Sequence, residues 1–477
     1  MHFERYDRTD MKRLLTMVLM LTLLLALLPG AVSALESEPA PELKITASPA
    51  ALSWDGISTR SYHSTVSLAA GSTVTLTPTD PGQKISALYI VWSKVPGSWA
   101  LGYNGKSETF GQNGYLHEFV ALEGGAEEVT LTVEGDETLC FVRAFGPGVL
   151  PADVQRWEPS CEKADILVLP THSDDEILFF GGVLAQYAGQ QDLQVQVSYF
   201  SQYPYGIREH EKLDGIWTCG VRHYPVSGPF PDVYQETPDQ ARAYFKQDAA
   251  LAFYLEQLRR FQPQVCIVHD AAGEYGNGTH QFVVQVLREA LEQSSDPAVC
   301  PESAEQYGVW DVPKTYLHLW KENPIHLDCR RSLSAFDGKT ALEVAAEAYK
   351  KHVSQQQLWF YVSDEGPYSI AQFGLYRTTV GPDTGSDIME HLVPYAQQSE
   401  VPPEVTESTQ VPPATQSEPE PTQPEPTQAP AETAPAQTPP TAEEGKPLLP
   451  ILLAAISALL TVSAVVALCV VSIRRRM

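Results

Sequence analysis

From about residue 163 the chain alternates short, wholly apolar runs with amphipathic helical stretches, and that alternation narrows the fold more than any other feature. Ala164-Asp-Ile-Leu-Val-Leu-Pro, Gln194-Val-Gln-Val-Ser-Tyr-Phe, Val221 to Val226, Gln264-Val-Cys-Ile-Val-His and Lys314-Thr-Tyr-Leu-His-Leu-Trp read as strands. Ile177 to Tyr187, Glu209 to Cys219, Thr237 to Phe261 and His280 to Gln293 read as helices. Apolar strands separated by helices form an open, mostly parallel, Rossmann-like α/β sheet covered on both faces. Ligands on such sheets bind beyond the carboxyl ends of the strands. Chemistry is therefore expected in the loops after Pro170, Phe200 and His269.

The preceding stretch has a different rhythm. Over residues 40–158, runs such as Ser72-Thr-Val-Thr-Leu-Thr and Glu128-Val-Thr-Leu-Thr-Val alternate apolar and polar side chains between Gly, Pro, Asp and Asn clusters. That is the pattern of an antiparallel β-sandwich. Leu52-Ser-Trp-Asp-Gly-Ile-Ser-Thr-Arg and Tyr89-Ile-Val-Trp resemble a discoidin-like sandwich, so the unit is a candidate carbohydrate binder. Trp54, Trp92, Trp99 and Tyr103 are either sugar-stacking rings or core aromatics, and the core reading is favoured for each.

The two ends read as targeting segments. Residues 1–34 have the basic, apolar and small-residue order of a signal peptide. Residues 398–446 repeat Pro, Thr, Glu, Gln and Ala, a composition too poor in apolar surface to offset ordering entropy, and read as a disordered stalk. Residues 448–473 are apolar enough for a transmembrane helix, and the basic tail 474–477 is expected on the cytoplasmic side. The expected location is thus the cell membrane, single-pass, with the rest of the chain extracellular. A formal charge of −27 argues against nucleic acid as a partner. There is no CxxC pair for a cysteine zinc site. Cys266 reads as a buried free thiol, and Cys300 with Cys329, or Cys140 with Cys161, as the disulfides to test. Nothing in the sequence fixes an oligomeric state.

Two loops carry the chemistry. The first reads Thr171-His172-Ser173-Asp174-Asp175-Glu176, with an imidazole and three carboxylates at a strand end. His172 and Asp175, three apart at a helix start, can face one cation, since Zn²⁺ accepts His nitrogen and Asp oxygen together. The competing reading is that the acidic residues merely favour the helix N-terminus. The second loop, His269-Asp-Ala-Ala-Gly-Glu-Tyr-Gly-Asn-Gly-Thr-His280, brings His280 to the same sheet edge.

These motifs, in this order over roughly residues 163 to 295, resemble the PIG-L (LmbE-like) N-acetylglucosaminyl deacetylase family. That family carries a His-Pro/Ser-Asp-Asp-Glu loop after its first strand and a histidine closing a Gly-rich loop. Arg208, Glu211, Cys219-Gly220-Val221 and Pro231-Asp232 resemble its middle segment, within a deacetylase-like unit expected over 163–395. The resemblance implies that His172, Asp175 and His280 bind Zn²⁺ and that Asp174 is the general base. It implies that Arg208, Asp232 and Asn277 face the substrate, an N-acetylated glycan or amino sugar. The expected function is an extracellular zinc-dependent deacetylase of N-acetylglucosamine-type sugars. One position departs from the family: Asn277 stands where it usually has a histidine, and asparagine cannot deliver a proton. Either His269, His210 or His318 substitutes, or the protein is a weakly catalytic or non-catalytic glycan binder.

Overall fold

The computed structural model describes residues 38–49, 60–203, 206–356 and 359–398. The signal-peptide, stalk, membrane-helix and tail readings, and Trp54, fall outside them.

The N-terminal part is two antiparallel sheets packed face to face. One contains Glu42–Leu43, Val66–Leu68, Ile85–Trp92, His117–Ala126 and Glu137–Phe145; the other contains Ile45–Ser48, Thr73–Pro78, Trp99–Tyr103, Lys106–Phe110 and Val129–Val133. Strict alternation puts Trp99, Leu101 and Tyr103 of one strand inward, and Trp92 and Trp99 are fully buried. Trp92 and Trp99 are core, as the favoured reading had it, and Tyr103 packs into the same cluster while also lining a surface hollow.

The α/β part is built on seven strands: β1 Ile166–Leu169, β2 Val195–Gln202, β3 Val226–Pro231, β4 Val265–Val268, β5 Lys314–His318, β6 Pro324–His326 and β7 Gln372–Thr378. Their spatial order is β3-β2-β1-β4-β5-β7-β6. β1 and β4 run parallel, but the order of strand addition reverses between them, the switch point at which doubly wound sheets open a crevice. Six helices matter here: α1 Asp175–Leu178, α2 Ile207–Thr218, α3 Pro238–Phe245, α4 Gln247–Phe261, α5 Gly278–Gln293 and α6 Ala341–Tyr349. α1, α2 and α6 supply the core on one face of the sheet, and α3, α4 and α5 that on the other. Every residue of β1 and β4 is buried, as layers on both faces require.

The expected fold class, a mostly parallel Rossmann-like sheet after an antiparallel sandwich and ending in a transmembrane helix, needs correcting on two counts. β7 pairs antiparallel with β5 and β6, and every pairing in the two N-terminal sheets is antiparallel, so antiparallel pairings predominate over the chain. Among the described residues no helix is long and apolar enough to cross a membrane. The longest of them, α5, has 16 residues, short of the roughly 20 a bilayer needs. The C-terminal transmembrane helix and the single-pass cell-membrane location are therefore not carried forward. The proposed disulfides are also absent: Cys140, Cys161, Cys300 and Cys329 are all free. Cys266 is a buried free thiol, as read.

The two parts share a seam. Tyr115, Leu116 and Trp157 belong to the α/β core, and Tyr115 stacks on Tyr224. Helix α2 faces the sandwich: His210 Nδ1 meets His117 Nε2 at 2.8 Å, and Tyr62 donates its hydroxyl hydrogen to Asp214 at 2.8 Å.

Candidate metal centre

The loop after β1 and the start of α5 meet at the switch point. The chain leaves β1 through Pro170, and the Thr171 carbonyl accepts hydrogen bonds from the backbone and hydroxyl of Ser201 on β2. It then folds back on itself: the His172 N–H donates to Asp175 Oδ2 at 2.7 Å. That turn brings His172 and Asp175 side by side, as their spacing predicts. From across the crevice, α5 delivers His280 in its first turn.

The three donor atoms form a nearly equilateral triangle. His172 Nδ1 lies 3.1 Å from His280 Nε2 and 3.2 Å from Asp175 Oδ2, and His280 Nε2 lies 3.3 Å from Asp175 Oδ2. Tetrahedral coordination with bonds of about 2.0–2.1 Å requires edges of about 3.3–3.4 Å. The donor set is the nitrogen and oxygen mixture zinc accepts, and all three residues are buried. Asp175 Oδ1 is buried with no hydrogen-bond partner among the described residues.

The electrostatics point the same way. Burial opposes charge on His280, but Asp175 and Glu274 outweigh it and raise its pKa to about 10. His172 is likewise raised, with burial opposed by Asp232 and Asp175. Burial also works against the Asp175 charge, yet His280 and His269 hold it well below the usual carboxylate range. Protons thus gather where a dication would sit, and metal binding would release them.

Asp174 lies beside this triangle. Its pKa is pushed up to about 6 by burial and by Asp175, with Arg208 pulling the other way. Arg208, from the first turn of α2, reaches Asp174 Oδ1 at 3.3 Å and Asp232 Oδ2 at 2.9 Å, and donates to the Ser173 carbonyl at 2.8 Å. The structure therefore gathers His172, Asp174, Asp175, Arg208, Asp232 and His280 at one place.

Asn277 is adjacent but engaged. Its Oδ1 accepts from the backbone of Thr279 at 2.8 Å and His280 at 3.4 Å, so it caps α5, a position asparagine suits well. None of the three histidines considered as its substitute is free to give a proton. His210 lies at the sandwich seam. His269 Nε2 accepts from the Thr171 N–H at 2.9 Å, while Nδ1 meets Glu274 at 2.9 Å. His318 faces Glu274 at 2.7 Å and the Ser369 carbonyl at 3.0 Å.

Glu274 is the residue the sequence reading passed over. Fully buried, it faces His280 Nδ1 at 2.8 Å, His269, His318 and the Asp270 N–H at 3.0 Å. Burial opposes its charge, but His269 and the ring hydrogen bonds hold its pKa well below normal. With its Nδ1 hydrogen directed at Glu274, His280 turns the lone pair of Nε2 into the triangle, the arrangement by which carboxylates orient metal-ligating histidines. The available signal was a carboxylate midway between His269 and His280 in a Gly-rich loop. A second buried pair lies nearby: His352 Nε2 is 2.7 Å from Glu176 Oε1.

No protein-family model matches this chain. A 1D-myo-inositol 2-acetamido-2-deoxy-alpha-D-glucopyranoside deacetylase of Geodermatophilus obscurus is 25% identical over 179 residues, 32% of this chain and 60% of that protein. One from Frankia alni is 24% identical over 289 residues, 47% of this chain and 99% of that protein. The chain resembles these deacetylases. Among solved structures, the N,N'-diacetylchitobiose deacetylase of Pyrococcus horikoshii matches with a TM-score of 0.32 and 15% identity, over 41% of this chain and 72% of that one. CpGH89CBM32-6, produced by Clostridium perfringens, matches with a TM-score of 0.19 and 12% identity, over 22% of this chain and 94% of that one. Within the α/β part, the first aspartate of the Asp-Asp pair, Asp174, meets Arg208 and the second, Asp175, joins the histidines.

Proposed function

We propose that this protein is a zinc-dependent deacetylase that hydrolyses the N-acetyl group of N-acetylglucosamine-type sugars. The observation that carries the reading is the His172–Asp175–His280 triangle at the sheet's switch point, with a second carboxylate, Asp174, beside it. The resemblance to deacetylases of an acetamido sugar supplies the substrate class.

Zinc held by His172, Asp175 and His280 would supply Lewis acidity toward the amide carbonyl and make water a stronger acid. Asp174 takes the proton from the attacking water. Arg208 fixes Asp174 through Oδ1, leaving Oδ2 for that transfer, and Asp232 holds the far side of the guanidinium. Because Asn277 carries no transferable proton and the nearby histidines are engaged, Asp174 also returns the proton to the departing amine. A carboxyl poised near 6 suits both halves of that task at neutral pH.

The test is amine release from N-acetylglucosamine oligomers by purified protein, with zinc and with a chelator. Zinc-dependent release is expected; equal release in metal-free protein sinks the proposal. A second reading, glycan binding without turnover, is favoured by the capping role of Asn277. It predicts zinc-loaded protein that binds sugars and releases no amine, and Asn277→His that gains turnover.

A further inference from the structure

Next to the metal centre, the segment after residue 358 turns a set of aromatic rings outward instead of burying them. Trp359 is 55% exposed, Tyr361 65% and Tyr368 36%. They rim a shallow hollow of about 20 Å³, with Phe179 and Leu178 also in its lining. Tyr275 connects it to the metal centre: its ring lies 5.6 Å from that of His280 and 5.3 Å from that of Trp359. A single ring thus separates the donor triangle from the outer patch.

The character of this surface selects its occupant. No lysine or arginine lines it, and its one carboxylate, Glu365, is already paired with Arg330 at 2.7 Å. An anionic polymer or a phosphate headgroup finds no counter-charge there. The hollow is too small to enclose a ligand, so an occupant lies over the exposed ring faces instead of sinking between them. Flat apolar faces rimmed by tyrosine hydroxyls and Ser363 match a molecule with an apolar face and a hydroxylated edge. A pyranose has that form.

We propose that Trp359, Tyr361 and Tyr368 form a stacking subsite for the sugar adjoining the one that carries the reacting N-acetyl group. The preferred ligand is then an oligosaccharide and not a single amino sugar. This rests on the deacetylase reading for the neighbouring site, but its test does not need turnover.

The experiment is a fluorescence titration of metal-free protein with N-acetylglucosamine and with its β-linked dimer and trimer. The trimer is expected to bind about 10-fold more tightly than the monomer, the size of one good ring contact plus buried area. Trp359→Ala combined with Tyr361→Ala should bring that ratio below about 2-fold. Both side chains are exposed, so the fold should survive, and Tyr244→Ala, another exposed ring outside the patch, should keep the ratio. Equal binding of monomer and trimer by the unaltered protein overturns the proposal. So does a length preference that survives the double substitution. A gain from an octyl N-acetylglucosaminide that matches the trimer's and disappears in the double variant also overturns it, in favour of an alkyl occupant. Length-dependent binding with no amine release removes the deacetylase reading and keeps the subsite.

Discussion

Replacing Glu274 with glutamine should weaken zinc binding although Glu274 lies outside the His172–Asp175–His280 triangle. The carboxylate serves four donors: the ring nitrogens of His269 and His280 on Oε2, and His318 Nδ1 with the Asp270 N–H on Oε1. Glutamine offers one oxygen and one NH₂. If the oxygen stays with His280 and His269, the NH₂ confronts His318 and the Asp270 amide; if it turns, the NH₂ confronts the ligand itself. In either orientation the charge that keeps the His280 Nδ1 hydrogen in place is gone. Loss of such an outer partner typically costs about 10- to 100-fold in metal affinity, or about 1.4–2.7 kcal/mol. The assay is competition for zinc with a chromophoric chelator, with the fold checked by circular dichroism. His318→Gln is the control: of the Glu274 contacts it disturbs only one, to Oε1, together with the His318 bond to the Ser369 carbonyl, so thermal stability should fall while zinc affinity changes less than about 3-fold. A folded Glu274→Gln that binds zinc as the unaltered protein does would refute the reasoning.

Other expectations follow from the same geometry. Asp174→Asn should lower amine release by about 10²- to 10⁴-fold while stoichiometric zinc binding, read by metal analysis, persists. Glu118, buried beneath the Trp99 indole, has its pKa raised by burial from 4.5 to about 7. The folded state therefore holds a proton the unfolded chain has lost, and stability falls as pH rises from about 4.5 to 7. Glu118→Gln should flatten that slope and stabilise the protein at pH 8 by up to about 3 kcal/mol, measured by urea denaturation at both pH values. Gly215 on α2 has His352 Nε2 only 2.8 Å from where a Cβ would stand. Gly215→Ala should cost about 1–3 kcal/mol, seen as a lowered Tm, by pushing His352 off Glu176.

The donor residues of the candidate site were legible because each lies at a strand end or a helix start, where the backbone itself sets the direction of the side chain. His172 and Asp175 follow one apolar run, and His280 opens the helix after another. What could not be read was set by distant packing. One helix was expected from Thr237 to Phe261; the chain breaks at Lys246, with φ 67°, although no glycine or proline marks the spot. The third strand was expected at Val221 to Val226 and lies at Val226–Pro231. It contains two prolines, which are tolerated because β3 is an edge, where a missing N–H costs little. Glu274 was in plain view, yet its three histidine partners come from positions 269, 280 and 318, and only the fold brings them together.

Helix α2 has a consequence for how the molecule comes apart. Its first turn holds Arg208 against Asp174, while two residues further His210 is pressed against the sandwich and Asp214 is held by Tyr62 and Gln155. Removing the sandwich would strand these polar groups and uncover the patch that Tyr115 and Leu116 now cover. A calorimetric scan should accordingly show one endotherm for the two parts, and the α/β part produced alone should be prone to aggregate. Evolution could then not exchange the N-terminal unit as a cassette without also rebuilding the helix that carries the arginine.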